Sequence, residues 1–136
     1  MIQAVGGDLI IVRFSPLRTD ALMEQAETSA LDCEAEGLPR VYSISTFGRV
    51  LNEGDTLSDV MHTICSEAPA GGKRIWVTTA RALREAGFNV SLSEPPPHHY
   101  DVELGTDLCR SDVDKLVALF EPGREVNPAW KSSRSQ

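Results

Sequence analysis

Short runs rich in β-branched residues take turns with segments of helical period along this chain, and that alternation narrows the fold more than any single motif. Residues 9–14 (LIIVRF) follow a Gly-Gly-Asp turn signal and are stopped by Pro16, as suits a buried strand. Residues 19–36 then place Leu22, Ala26, Ala30 and Cys33 at helical spacing, with Gly37 as C-cap and Pro39 as stop. Residues 41–47 (VYSISTF) alternate, with Val41, Ser43, Ser45 and Phe47 on one face and Tyr42, Ile44 and Thr46 on the other. The turn NEGD follows, and beyond it Leu57, Val60, Met61, Ile64, Cys65 and Ala68 form a complete amphipathic stripe that Asp55 or Thr56 can cap.

The alternation continues through RIWVTT (74–79), a short helix over ARALREAGF that Thr79 caps and Gly87 ends, and the strand NVSLSE (89–94). Three prolines at 95–97 lack amide donors and predict a stiff extended connector into a last strand, HHYDVEL (98–104). A final helix starts at Ser111, with Asp114 completing a weak capping box and Val113, Leu116, Val117 and Phe120 on one face, and Pro122 and Gly123 end it. The order β-α-β-α-β-α-β-β-α predicts an α/β (or α+β) fold: a single mixed sheet of about five strands flanked by about four helices. An open sandwich is expected first and a two-layer arrangement second, with the strands on either side of the third helix parallel through a right-handed crossover. Residues 1–125 are expected to form one domain and 126–136 a tail anchored by Trp130.

Composition bounds what such a domain does. At 136 residues there is room for about one core, and 41% hydrophobic with 24% charged residues is ordinary for a globular chain. The run LIIV is too short to span a bilayer, and MIQAVGGD lacks a basic flank, so neither a signal peptide nor a membrane helix is expected. Three widely spaced cysteines, Cys33, Cys65 and Cys109, suggest neither a disulfide framework nor a zinc ribbon, which fits a reducing cytoplasm. A net charge of −7 argues against direct nucleic-acid binding. Asp20, Glu24, Glu27, Asp32, Glu34 and Glu36 share one segment without lysine or arginine. That block either keeps the domain in solution or recognises a basic protein, with Glu24, Glu27, Asp32, Glu34, Glu36 and Trp130 as the partner-binding set. Tyr42 is a further aromatic anchor, whereas Trp76 sits in an apolar strand that suits the core.

Candidate chemistry centres on the segment after the prolines. If the strand is extended from His98, then His98, Tyr100, Val102 and Leu104 share one face and His99, Asp101 and Glu103 the other. The second set can hold a base beside a carboxylate, making His99, Asp101, Tyr100 and Glu103 the catalytic candidates; a solvated strand face explains the same alternation. His62 and Cys65 lie one helical turn apart but on different flanks, as a solvated histidine and a buried cysteine. No G-x-S-x-G occurs, both Gly-Gly pairs read as turns, and Lys73, Arg74, Arg81 and Arg84 make a weak anion-binding cluster. No cofactor or metal is expected. The leading expectation is a small acidic cytoplasmic regulator that binds a basic protein, in the manner of an immunity protein or antitoxin. The alternative is a small enzyme with a His/carboxylate site acting on an anionic small molecule, and a third reading has Val126 and Trp130 docking on a neighbouring subunit.

Overall fold

The computed structural model describes residues 2–68 and 71–130. Six strands and four helices follow in the order β1 (Leu9–Phe14), α1 (Thr19–Ala35), β2 (Tyr42–Val50), α2 (Leu57–Glu67), β3 (Arg74–Thr79), α3 (Ala80–Glu85), β4 (Asn89–Leu92), β5 (His99–Gly105), α4 (Arg110–Phe120) and β6 (Arg124–Val126). The strands make one sheet in the order β4-β5-β2-β1-β3-β6. The α/β class and the alternation of elements are as the sequence predicts.

Pairing differs from expectation in one respect: every ladder is antiparallel, so the sheet is not mixed. β3 and β4 do not form a parallel crossover unit. β4 pairs with β5 at one edge, while β3 lies between β1 and β6. The three prolines connect β4 and β5 as a hairpin, not as an extended spacer. Ser93 N–H donates to His99 O (2.8 Å) and His99 N–H to Pro96 O (3.2 Å). Prolines supply no amides, and a further bond within the loop runs from His98 N–H to Glu94 Oε2 (3.1 Å).

Both faces of the sheet are covered, as period-2 strands with apolar residues of both parities require. On one face Ile10, Val12, Phe14, Phe47, Ile75 and Val77 pack against Val60, Met61, Ile64 and Cys65 of α2. On the other, Ile11, Ile44, Val90 and Val102 meet Leu22 of α1, Leu83 of α3, and Val113, Leu116 and Phe120 of α4. α2 begins at a reciprocal capping box: Thr56 accepts from Asp59 N–H (3.1 Å) and the Asp59 carboxylate accepts from Thr56 N–H (3.1 Å). Those bonds hold the Asp59 carboxyl below its usual range.

The start of α4 and the C-terminal segment depart from the expected pattern. Cys109, not Ser111, occupies the N-cap, and no side chain caps the helix. Asp114 instead accepts from Thr19 Oγ1 (2.6 Å), tying α4 to α1. After Phe120 a short 3-10 turn brings Gly123 so close to β3 that a Cβ there would stand 1.7 Å from Val77 O. The chain then pairs as β6, so the expected boundary at 126 falls inside a strand. Beyond it Asn127 is buried and bonded to Gly72 O and Lys73 O (each 2.9 Å), which ties residues 127–130 to the sheet. The rest of the expected tail, 131–136, lies outside the described residues.

Candidate functional site

α1 carries the acidic block, and its seat explains where the block ends up. β1 pairs with β2 only as far as Val12↔Phe47, so the backbone of β2 before Phe47 has no strand on that side. α1 runs along this open edge and supplies side chains in place of a strand. Gln25 Oε1 accepts from Ser45 N–H (2.9 Å), Arg13 Nη1 donates to Ser45 O (2.8 Å), and Ser29 Oγ donates to Val41 O (3.5 Å) and meets Ser43 Oγ (2.6 Å). Gln25 and Ser29 are one turn apart, so one helical stripe serves one strand edge. The buried side of the helix is narrow: Leu22, Ala26 and Ala30.

With its inner side docked this way, α1 leaves its carboxylates in solvent. Asp20 pairs with Arg110 (3.0 Å) and Glu34 with Arg40 (2.7 Å). Glu24, Glu27, Asp32 and Glu36 are exposed and make no ion pair among the described residues. Between them Leu31 is 56% exposed. Two grooves flank the helix. One, of about 530 Å³, is lined by Met23, Glu27, Leu31, Arg40, Tyr42 and Leu108, with Arg40 lying over the Tyr42 ring (5.6 Å) and bonded to its hydroxyl (3.0 Å). The other, of about 350 Å³, is lined by Asp32, Glu36 and Asp101 together with Thr28, Ser29, Ser43 and Ser45. It adjoins a cavity of about 220 Å³ where β1 leaves β2, the two sharing Gln25 and Ser45 and the smaller one reaching Arg13.

Of the catalytic candidates, the fold brings His99 and Asp101 to one face of β5 but not into a dyad. His99 Nδ1 is 3.0 Å from Ser93 O, to which it donates, and 3.9 Å from the Asp101 carboxylate, too far for a hydrogen bond. The His99 ring stands edge-on to Phe47 (5.4 Å) at the margin of the α2 core. Tyr100 is on the opposite face: its ring lies over Gly48, where a Cβ would come within 3.0 Å of it. Glu103 accepts from Ser91 Oγ (3.2 Å) across the hairpin. His98 does not join the strand face either, because its φ of 67° turns it out of the extended run, and its Nε2 meets Glu67 on α2 (2.9 Å). The His98 contact holds the Glu67 carboxyl below its usual range.

The expected basic cluster does not converge. Arg74 begins β3 and pairs with Val126, whereas Arg81 and Arg84 lie beyond the other end of that strand, about 17 Å away along it. Arg81 is committed to the buried Asp8 by two bonds (3.1 and 2.9 Å), which hold the Asp8 carboxyl below its usual range. Arg84 donates to Val90 O (3.1 Å) on the outer strand β4. Lys73 is exposed and offers its backbone carbonyl to Asn127. Trp130, placed with the acidic residues by sequence, is half-exposed but lines neither groove beside α1.

Cys65 is a buried core thiol, pushed up to about 11 by burial, and the exposed His62 on the same helix meets Ser66 Oγ through Nδ1 (3.4 Å). No group of three or more His, Cys, Asp or Glu side chains among the described residues is arranged to hold a metal ion. None of the described helices is long and apolar enough to cross a membrane. Sequence reasoning missed Arg13, a buried guanidinium inside an apolar run, and the stripe Gln25–Ser29 that reads as ordinary helix surface. No family model, curated protein or solved structure matches this chain.

Proposed function

We propose that this is a small acidic binding protein of the cytoplasm that captures a basic protein partner through α1. The observation that carries the reading is the set of exposed carboxylates, Glu24, Glu27, Asp32 and Glu36, without ion pairs among the described residues, around the exposed Leu31 and beside two grooves. Unpaired like charges on one helix repel one another, a cost that an approaching cationic surface removes. Leu31 supplies the apolar contact that charge alone lacks, and the carboxylates beside it set the encounter rate. A regulatory role of the immunity or antitoxin kind, in which the domain neutralises a basic protein, suits a surface of this sign.

The test is capture of partners by the tagged protein against a variant with Glu24→Lys, Glu27→Lys and Asp32→Lys. Glu34 is left intact because it already pairs with Arg40. The expected result is a basic protein retained by the wild type and lost from the variant, with an association rate at least about tenfold slower at low salt and a smaller gap at high salt. Equal capture by the two proteins overturns the reading.

A further inference from the structure

Two charged side chains are buried among the described residues, Asp8 and Arg13, and the fold treats them differently. Asp8 has the Arg81 guanidinium against it. Arg13 is 6% exposed and has only neutral oxygens: Nη1 donates to Gln25 Oε1 and to Ser45 O (2.8 Å each), while Nε and Nη2 both reach Pro16 O at a long 3.3 Å. A buried charge without a counter-charge is a costly thing for a fold to keep. A guanidinium has five N–H groups, so one on Nη2 is unused, and the edge formed by Nε and Nη2, the one that grips a carboxylate bidentately, is held by a single weak acceptor. Burial alone pushes Arg13 down to about 10.

The cavity of about 220 Å³ at this side chain is lined by Ser15, Ser45 and the edge-packed Phe14 and Phe47. It shares Gln25 and Ser45 with the adjoining groove carrying Asp32, Glu36 and Asp101. Gln25 and Asp32 are separated by about 10 Å along the helix axis. One of these adjoining spaces therefore offers a cation with no counter-charge among the described residues, and the other offers the carboxylates of Asp32 and Glu36, without ion pairs among those residues, and of Asp101, which has His99 Nδ1 3.9 Å away. A dianion such as phosphate would meet those carboxylates and a chain of net charge −7. A ligand with a single carboxylate and a cationic arm satisfies both.

We propose that the cavity at Arg13 binds the carboxylate of a basic α-amino acid, free or as the last residue of a peptide, whose side chain reaches Asp101 and Asp32 in the adjoining groove. The cationic half of this assignment rests on the acidic α1 surface described above, and the anionic half rests on Arg13 independently of it.

Isothermal titration of the full chain at low salt with L-arginine, Nα-acetyl-L-arginine and agmatine, which is arginine without its carboxylate, separates the two halves. L-Arginine or its acetyl derivative is expected to bind at least about tenfold tighter than agmatine. Binding of the acetyl derivative assigns the site to a peptide C-terminus, whereas binding of L-arginine alone assigns it to the free amino acid. Arg13→Lys keeps the charge but loses the planar fork, and should abolish the preference over agmatine. Asp101→Asn, at a half-exposed position, should weaken all three ligands alike. Agmatine binding as tightly as L-arginine overturns the role of Arg13 and leaves the acidic surface standing. Absence of binding by all three at about 10 mM overturns the assignment, and the charge-reversal capture experiment then judges the acidic surface by itself.

Discussion

α1 and α2 pack against the same sheet by opposite means. α2 drives four sizeable side chains, Val60, Met61, Ile64 and Cys65, into one core and closes its first turn with a reciprocal capping box. α1 is half as long again, has no capping side chain, and buries only Leu22 and two alanines. Its attachment is polar and local, through the bonds of Gln25 and Ser29 to the open edge of β2. The difference teaches how a helix becomes a surface for recognition. A helix held by a small apolar seat and edge hydrogen bonds frees most of its circumference, whereas a helix held by a broad apolar stripe does not.

The sharpest way to break that contrast is Ile64→Ala in α2. Ile64 is fully buried, so its truncation should cost about 3 kcal/mol in a denaturant titration, mostly through transfer and the cavity left behind. A loss below about 1 kcal/mol would mean that the α2 core is not tightly packed. Next in size, Gln25→Ala on α1 removes one acceptor shared by Ser45 N–H and the Arg13 guanidinium, and should cost about 2 kcal/mol although it deletes no apolar contact. If it is as mild as an exposed substitution, within about 0.5 kcal/mol, then the edge bonds do not hold α1 in place.

Smallest is Thr56→Ala, expected to cost about 1 kcal/mol by opening the capping box of α2. Its pH dependence sharpens the assignment. The Asp59 carboxyl is held below its unfolded value by bonds to Thr56, so the stability it contributes is present above that unfolded value, near pH 4, and is lost as pH falls through the folded one. The difference between wild type and Thr56→Ala should therefore shrink on acidification, measured as thermal midpoints from pH 6 down to pH 3. A constant difference would assign the effect of Thr56 to the bond its hydroxyl accepts from Asp59 N–H, which does not titrate, and not to the Asp59 carboxylate.

What the sequence determined by itself is local. The apolar stripe of α2, the span of β3, the Thr79 cap of α3 and the two-faced alternation of β5 all follow from residues within one or two turns of each other. Periodicity and capping act over such distances, so they are legible without a partner in view. The acidic block was legible for the same reason, as a run of charges on one helix.

Tertiary structure decided what lies opposite what. Nothing near 74–79 or 89–92 says that these strands sit on different sides of the sheet, since pairing depends on which edges the chain leaves open once β1 and β2 have met. The separation of Tyr100 from His99 follows from alternation, but the loss of the His99–Asp101 bond does not, because it takes the Ser93 carbonyl across the hairpin to claim Nδ1. Arg13 is the clearest case. In sequence it is one basic residue in an apolar run. Only the early end of the β1–β2 ladder, with Gln25 and the Ser45 carbonyl arriving from elsewhere in the chain, makes it a buried cation beside a cavity.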